Sequence, residues 1–82
     1  MIEGRIKTLD VANRRAVITT QDAREVAVSF PEDAIIEVAE PETMGTMGGE
    51  LGDLQEGFHV EIEVAAHETD GSCTCASLVC VS

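Results

Sequence analysis

The chain has no tryptophan and no tyrosine, and Phe30 and Phe58 are its only aromatic residues. That removes the stacking platform on which single-stranded nucleic acid is usually held. Basic residues are scarce as well, five Lys and Arg against sixteen Asp and Glu, for a formal net charge of −11. Such a field repels phosphate backbones and anionic membrane surfaces alike. Nucleic acid and membranes are therefore not expected partners, and basic proteins or cations are the natural counterparts. The plainer reading of the same surplus is that it keeps a small domain soluble. No apolar run is long enough for a membrane span or for the hydrophobic stretch of a secretory signal. The expected location is the cytoplasm, with a mature exported form also compatible.

What is present is a chain of 82 residues rich in Val, Ile and Ala. One domain covering residues 1–82 is expected. A chain this short buries roughly 60–65% of its unfolded surface, and domains with so thin a core often rely on a metal, a disulfide or a partner chain. Small branched side chains favour strands. The three cysteines, Cys73, Cys75 and Cys80, make an odd and closely spaced set, a poor disulfide framework that suits a reducing compartment. Neighbouring Cys73 and Cys75 could bridge only under strain, so free thiols are expected.

No internal repeat is visible. Residues 4–10 read as a first strand, followed by turn chemistry at Asp10 and Asn13. Ile2-Glu3-Gly4-Arg5 also spells a protease site used in expression tags, but it runs smoothly into the strand and reads as native. Arg15 to Thr20 and Arg24 to Phe30 predict two further strands, the latter with Val26, Val28 and Phe30 on one face. Pro31 to Ala34 predicts one helical turn, and Ile35 to Val38 a short strand ending before Pro41. Residues 39–57 hold five of the seven glycines and predict a long, flexible acidic loop whose end, Asp53 to Gly57, turns into the next strand. Phe58 to Ala66 alternates strictly, with Phe58, Val60, Ile62, Val64 and Ala66 inward. Asp70-Gly71 is a favoured hairpin turn leading to a last strand, Cys73 to Val81. A two-residue turn would set Ala66 against Cys75 and Ile62 against Val79. Cys73, Cys75, Ser77, Val79 and Val81 would then point inward, and Thr74 and Cys80 outward. A three-residue turn would invert this. The first register is preferred because it buries Val79 and Val81. The fold class that follows is all-β: a small barrel of five to six strands with one long Gly-rich loop.

Three short patterns fit that class. Gly4-x-Ile6-x-x-Leu9-Asp10, Asp53-Leu54-x-x-Gly57-x-x-Val60-x-Ile62 and Asp70-Gly71-x-x-x-x-Ala76-x-x-Val79-x-Val81 resemble small bacterial OB-like β-barrel domains, many of them uncharacterised. The resemblance implies an OB-like barrel and carries over no catalytic residue. Some such barrels are periplasmic copper carriers that hold the metal with Met, His and Trp. Met44-Gly45-Thr46-Met47 offers two thioethers, but its spacing is not Met-x-Met, and the chain has neither Trp nor a visible export signal.

Soft donors are nonetheless present. Met44, Met47, His59, His67, Cys73, Cys75 and Cys80 include thioethers, imidazoles and thiolates that suit Cu(I) or Zn²⁺, with Cys73, Cys75, His67, Met44 and Met47 as the metal candidates. Cys73-x-Cys75 is not the usual zinc spacing, and the preferred register puts His67 opposite Thr74 on the outer face, away from both thiols. Small buried cysteines often serve as core hydrophobes. The two methionines have their own alternatives, docking into a partner's groove or capping the barrel end, with the cap preferred. The carboxylates Glu61 and Glu63, and Glu40, Glu42, Glu50 and Asp53, could in principle do acid–base work. No nucleophile or oxyanion hole stands at a readable spacing, so no enzyme is expected. The expected function is a non-catalytic binding or accessory module that contacts another protein or its own copies through unpaired strand edges. The alternative is a Cu- or Zn-binding protein using the Cys/His/Met set; no other cofactor is expected.

Overall fold

The computed structural model describes residues 1–40, 42–43 and 45–81. Its seven strands are β1 (Ile2–Asp10), β2 (Arg15–Thr20), β3 (Glu25–Ser29), β4 (Ile35–Glu40), β5 (Gly45–Gly48), β6 (His59–His67) and β7 (Cys73–Cys80). They pair in the order β3-β2-β1-β6-β7-β4-β5, and β3 returns to β7. Strands β1, β2, β3, β7 and β6 thus close a five-strand barrel, with β4 and β5 added as a ribbon along one side. The helical turn expected after Pro31 is only a turn, closed by the Ala34 amide on the Pro31 carbonyl at 3.0 Å.

Closure depends on how β7 uses its two edges. One edge runs antiparallel to β6. The other is divided: Cys73 and Thr74 pair in parallel with Val28 and Ser29 of β3, and Ser77 to Cys80 pair in parallel with Ile35 to Val38 of β4. Ala76 falls at the handover. It is an extra residue in β7, skipped in the β6 ladder where Glu63 pairs with Ser77 and Val64 with Cys75. Such a bulge bends its strand and increases the twist, which lets one strand serve two neighbours. A second bulge at Ala65 in β6 restores the register, and a third at Lys7 bends β1 between Ile6 and Thr8.

The core is aliphatic. Ile18, Val60, Ile62, Cys75 and Leu78 have no exposed surface, and Ile6, Val28 and Phe30 nearly none. Burying so many branched side chains, at about 1.5–3 kcal/mol each, is the main drive for closure. Among the described residues no polar or charged residue is buried.

The structure corrects the expected hairpin. The Glu68 amide bonds to the Ser72 carbonyl at 2.8 Å, and the Gly71 amide to the Glu68 carbonyl at 3.2 Å. The loop is therefore three residues long, Thr69 to Gly71, with Gly71 at φ +90°, where glycine is favoured. Ile62 consequently faces Leu78, and Val60 faces Cys80. Leu78 and Cys80 are buried, Val79 and Ser77 turn outward, and Val81 is 41% exposed. Cys73 and Cys75 stay buried only because the Ala76 bulge flips the register back near the turn. The inward alternation of Phe58 to Ala66 holds at Val60 and Ile62 and fails at Ala66, which is exposed beyond the Ala65 bulge.

The expected loop at 39–57 is also more ordered than its glycines suggest. It contains β5, then a single 3₁₀ turn at Leu51–Asp53. The Asp53 carboxylate accepts the Glu50 amide at 2.9 Å, and Leu51 and Leu54 enter the core, each 3% exposed. Met47 does not join them as the expected methionine cap would require. Met47 is 55% exposed, and Met44 lies outside the described residues.

Gly4 belongs to this architecture. It sits between Thr20 on β2 and Val60 on β6, and a methyl group there would press into the Thr19 carbonyl. Gly4→Ala should therefore destabilise the domain by at least about 2 kcal/mol and lower its Tm by about 10 °C or more. Gly48→Ala, where a methyl group meets open space, should shift Tm little. Calorimetry that finds the two variants alike would contradict this packing.

Candidate functional site

The soft donors do not converge. Among the described residues no group of three or more His, Cys, Asp and Glu stands within reach of one metal ion. Cys80 lies in the core opposite Val60, Met47 lies on β5, and His59 sits 3.3 Å from the Glu3 carboxylate. One contact does form. The three-residue turn brings His67 directly opposite Cys73 rather than Thr74, and the His67 Nδ1 lies 3.4 Å from the Cys73 Sγ. This corrects the outward placement of His67 relative to that thiol. Cys75 stays apart from it in the barrel interior, where burial pushes its thiol up from the ordinary 9.0 to about 11.

The carboxylates disperse as well. Glu61 and Glu63 face outward, opposite Val79 and Ser77. Glu40 accepts a hydrogen bond from the Thr43 hydroxyl, and Asp53 is committed to the Glu50 amide. A cleft of about 330 Å³ opens between the end of β1, β2, β3 and the β6–β7 turn, lined by Asp10, Arg15, Val28, Ser29, Asp70 and Ser72 among others. Its acids are engaged. The Asn13 side chain and backbone amide hold Asp10 ionised below the usual carboxylate range, and the Ser72 hydroxyl and amide do the same for Asp70.

The distinctive surface is the outside of the sheet. Strand pairing places Glu3 of β1 opposite Glu61 of β6, Glu61 opposite Val79 of β7, and Val79 opposite Glu37 of β4. In the adjoining row Glu63, Ser77 and Ile35 line up. Ile35 is 59% exposed. An apolar strip of Ile35, Val79 and Val81 is thus flanked by carboxylates. Directly opposed like charges weaken a sheet, so the Glu3–Glu61 pair is not there for stability. The neighbours that soften these charges are neutral or weakly basic: Gln21 and His59 at Glu3, Ser77 at Glu63, Thr46 at Glu37.

This site was missed by pattern reading, although a sequence signal for it exists. Residues 1–30 carry five basic and four acidic side chains, and residues 31–82 carry twelve acidic ones and no Lys or Arg. Charge counted by segment rather than in total marks the added ribbon and β6–β7 as the acidic side. The ion pairs with Lys or Arg, Lys7–Glu25 and Arg24–Asp22, both fall in the balanced part.

Cys75 yields a pH prediction. In the unfolded chain its thiol loses its proton near 9.0, whereas the folded chain holds it to about 11. Across that interval the unfolded state binds fewer protons, so its contribution to stability is intact below pH 9 and declines as pH rises toward 11. Urea midpoints should fall over this interval in the wild type and fall less in Cys75→Val. Equal declines in both would remove Cys75 as the cause.

No known protein family, curated protein or solved structure matches this chain.

Proposed function

We propose that this chain is a non-catalytic binding module, an OB-like barrel whose acidic outer face docks on a basic surface of another protein. The observation that carries this reading is the row Glu3–Glu61–Val79–Glu37. It sets the half-buried Val79, with the exposed Ile35 and Val81 on the same face, between carboxylates that pair with no Lys or Arg among the described residues. An apolar core with a charged rim is the usual anatomy of a protein interface, and charge of one sign steers and selects a partner of the other. The same charge opposes a second copy on this face, so light scattering should give a monomer. It also opposes nucleic acid, a frequent ligand of OB-like barrels. The interior holds no buried polar group among the described residues, which suits binding better than catalysis.

The test is capture of partners by wild type and by two variants, Val79→Asp on the face and Ala27→Asp on the opposite strand pair. Val79→Asp should lose a basic partner by at least about tenfold in Kd, and rising salt should weaken wild-type binding. Ala27→Asp should bind like wild type. Equal loss in both variants, or capture of acidic proteins only, would contradict the reading.

A second reading rests on the His67–Cys73 contact. A cysteine sulfur and an imidazole so close offer two donors of a soft-metal site for Cu(I), with Met47 and Cys75 too dispersed to complete a zinc set. Titration with Cu(I) should then give one tight equivalent that Cys73→Ser abolishes. No binding, or binding indifferent to that substitution, would remove this reading.

A further inference from the structure

Strand β5 is paired on one side only. Its ladder joins Met47 to Val38 and Thr46 to Ala39 on β4, and it ends the strand order. The Gly49 amide donates to the Ile36 carbonyl at 2.9 Å. In an antiparallel ladder the amides alternate sides, so those of Met47 and Gly45 also face β4. The N–H and C=O groups of Thr46 and Gly48 therefore point away from the sheet, along the open edge. Natural edges are blunted by shortness, Lys, Pro or bulges; β5 has only its four-residue length, and its glycines leave room for a close neighbour.

We propose that this edge accepts an extended basic segment of the partner protein as an added strand. The inference rests on the docking reading above and adds how the partner is held. Charge decides the occupant. The ribbon and its flanks carry Glu37, Glu40, Glu42 and Glu50, with no Lys or Arg anywhere in residues 31–82. A second copy of this chain would set those carboxylates against their equals. An incoming strand of alternating basic and apolar residues is matched on both faces. Its basic side chains fall beside Thr46 and Gly48, where Glu37 lies, and its apolar ones fall beside the exposed Met47, which shares its face with Val38. Main-chain hydrogen bonds supply affinity in this mode, and alternate side chains supply selectivity.

The probe is a short capped peptide alternating lysine and valine, with a glutamate–valine peptide as control, added at low salt to isotopically labelled protein. The lysine peptide should shift the Thr46 and Gly48 amide signals and slow their exchange, while the Met47 amide exchanges as before. Gly48→Pro removes one outward donor and leaves the ladder to β4 intact. A proline is tolerated at such an edge position, and there is open space beside Gly48. It should keep the wild-type Tm and weaken the peptide by about fivefold or more, the loss of about one hydrogen bond. Should that variant fail to fold, the same peptide N-methylated along its β5-facing edge gives the equivalent comparison and should bind as weakly. Peptide binding that shifts Val79 and Ile35, spares Thr46 and Gly48 and ignores Gly48→Pro would overturn strand addition while leaving the docking face standing. No binding of the lysine peptide, binding of the glutamate peptide instead, or dimers formed through β5 would overturn the inference.

Discussion

The fold turns on one strand with three partners. β7 lies against β6 along one edge and passes from β3 to β4 along the other, and the bulge at Ala76 makes that handover geometrically feasible. The Cys73–Thr74 end closes the barrel, and the Ser77–Cys80 end carries the added ribbon. The three-residue turn sends Leu78 and Cys80 to the core and Val79 to the surface between Glu61 and Glu37, and the bulge lets Cys73 and Cys75 face inward as well. The bulge thus serves barrel closure, and the turn sets the chemistry of the outer face.

The interior and exterior divide the work sharply. Inside there are aliphatic side chains, Phe30 and thiols, with no buried side-chain nitrogen or oxygen left unpartnered among the described residues. Such a core holds its shape through apolar contact. Outside, twelve carboxylates are concentrated in residues 31–82, a stretch that has no Lys or Arg of its own. The opposed Glu3 and Glu61 cost the sheet some stability, softened at Glu3 by Gln21 and His59.

Much of the fold was legible because its strands obey simple alternation. β2 coincides with the expected Arg15 to Thr20, and Val60 and Ile62 are buried as their period demands. What was not legible was each place where a single residue changes the count. Asp70-Gly71 is compatible with either a two- or a three-residue turn, and preferring to bury Val79 and Val81 chose the wrong one. Leu78 and Cys80 fill the same core positions equally well, so hydrophobicity alone does not distinguish the registers. Ala65 and Ala76 carry no mark of a bulge. The glycines of 39–57 concealed β5 and the buried Leu51 and Leu54, because a short edge ribbon and a loose loop have the same composition. The acidic face depends on pairings among β1, β6, β7 and β4, distant in sequence, so only the segmental charge imbalance hinted at it.

The central claim is the register of β7, since both the closed core and the acidic face follow from it. Cross-strand nuclear Overhauser contacts read it directly. Val79 should show backbone contacts to both Glu61 and Glu37, with its methyls free of contact with Ile6 and Ile18. Pairing of Val79 with Ile62, its methyls packed among those isoleucines, would contradict it.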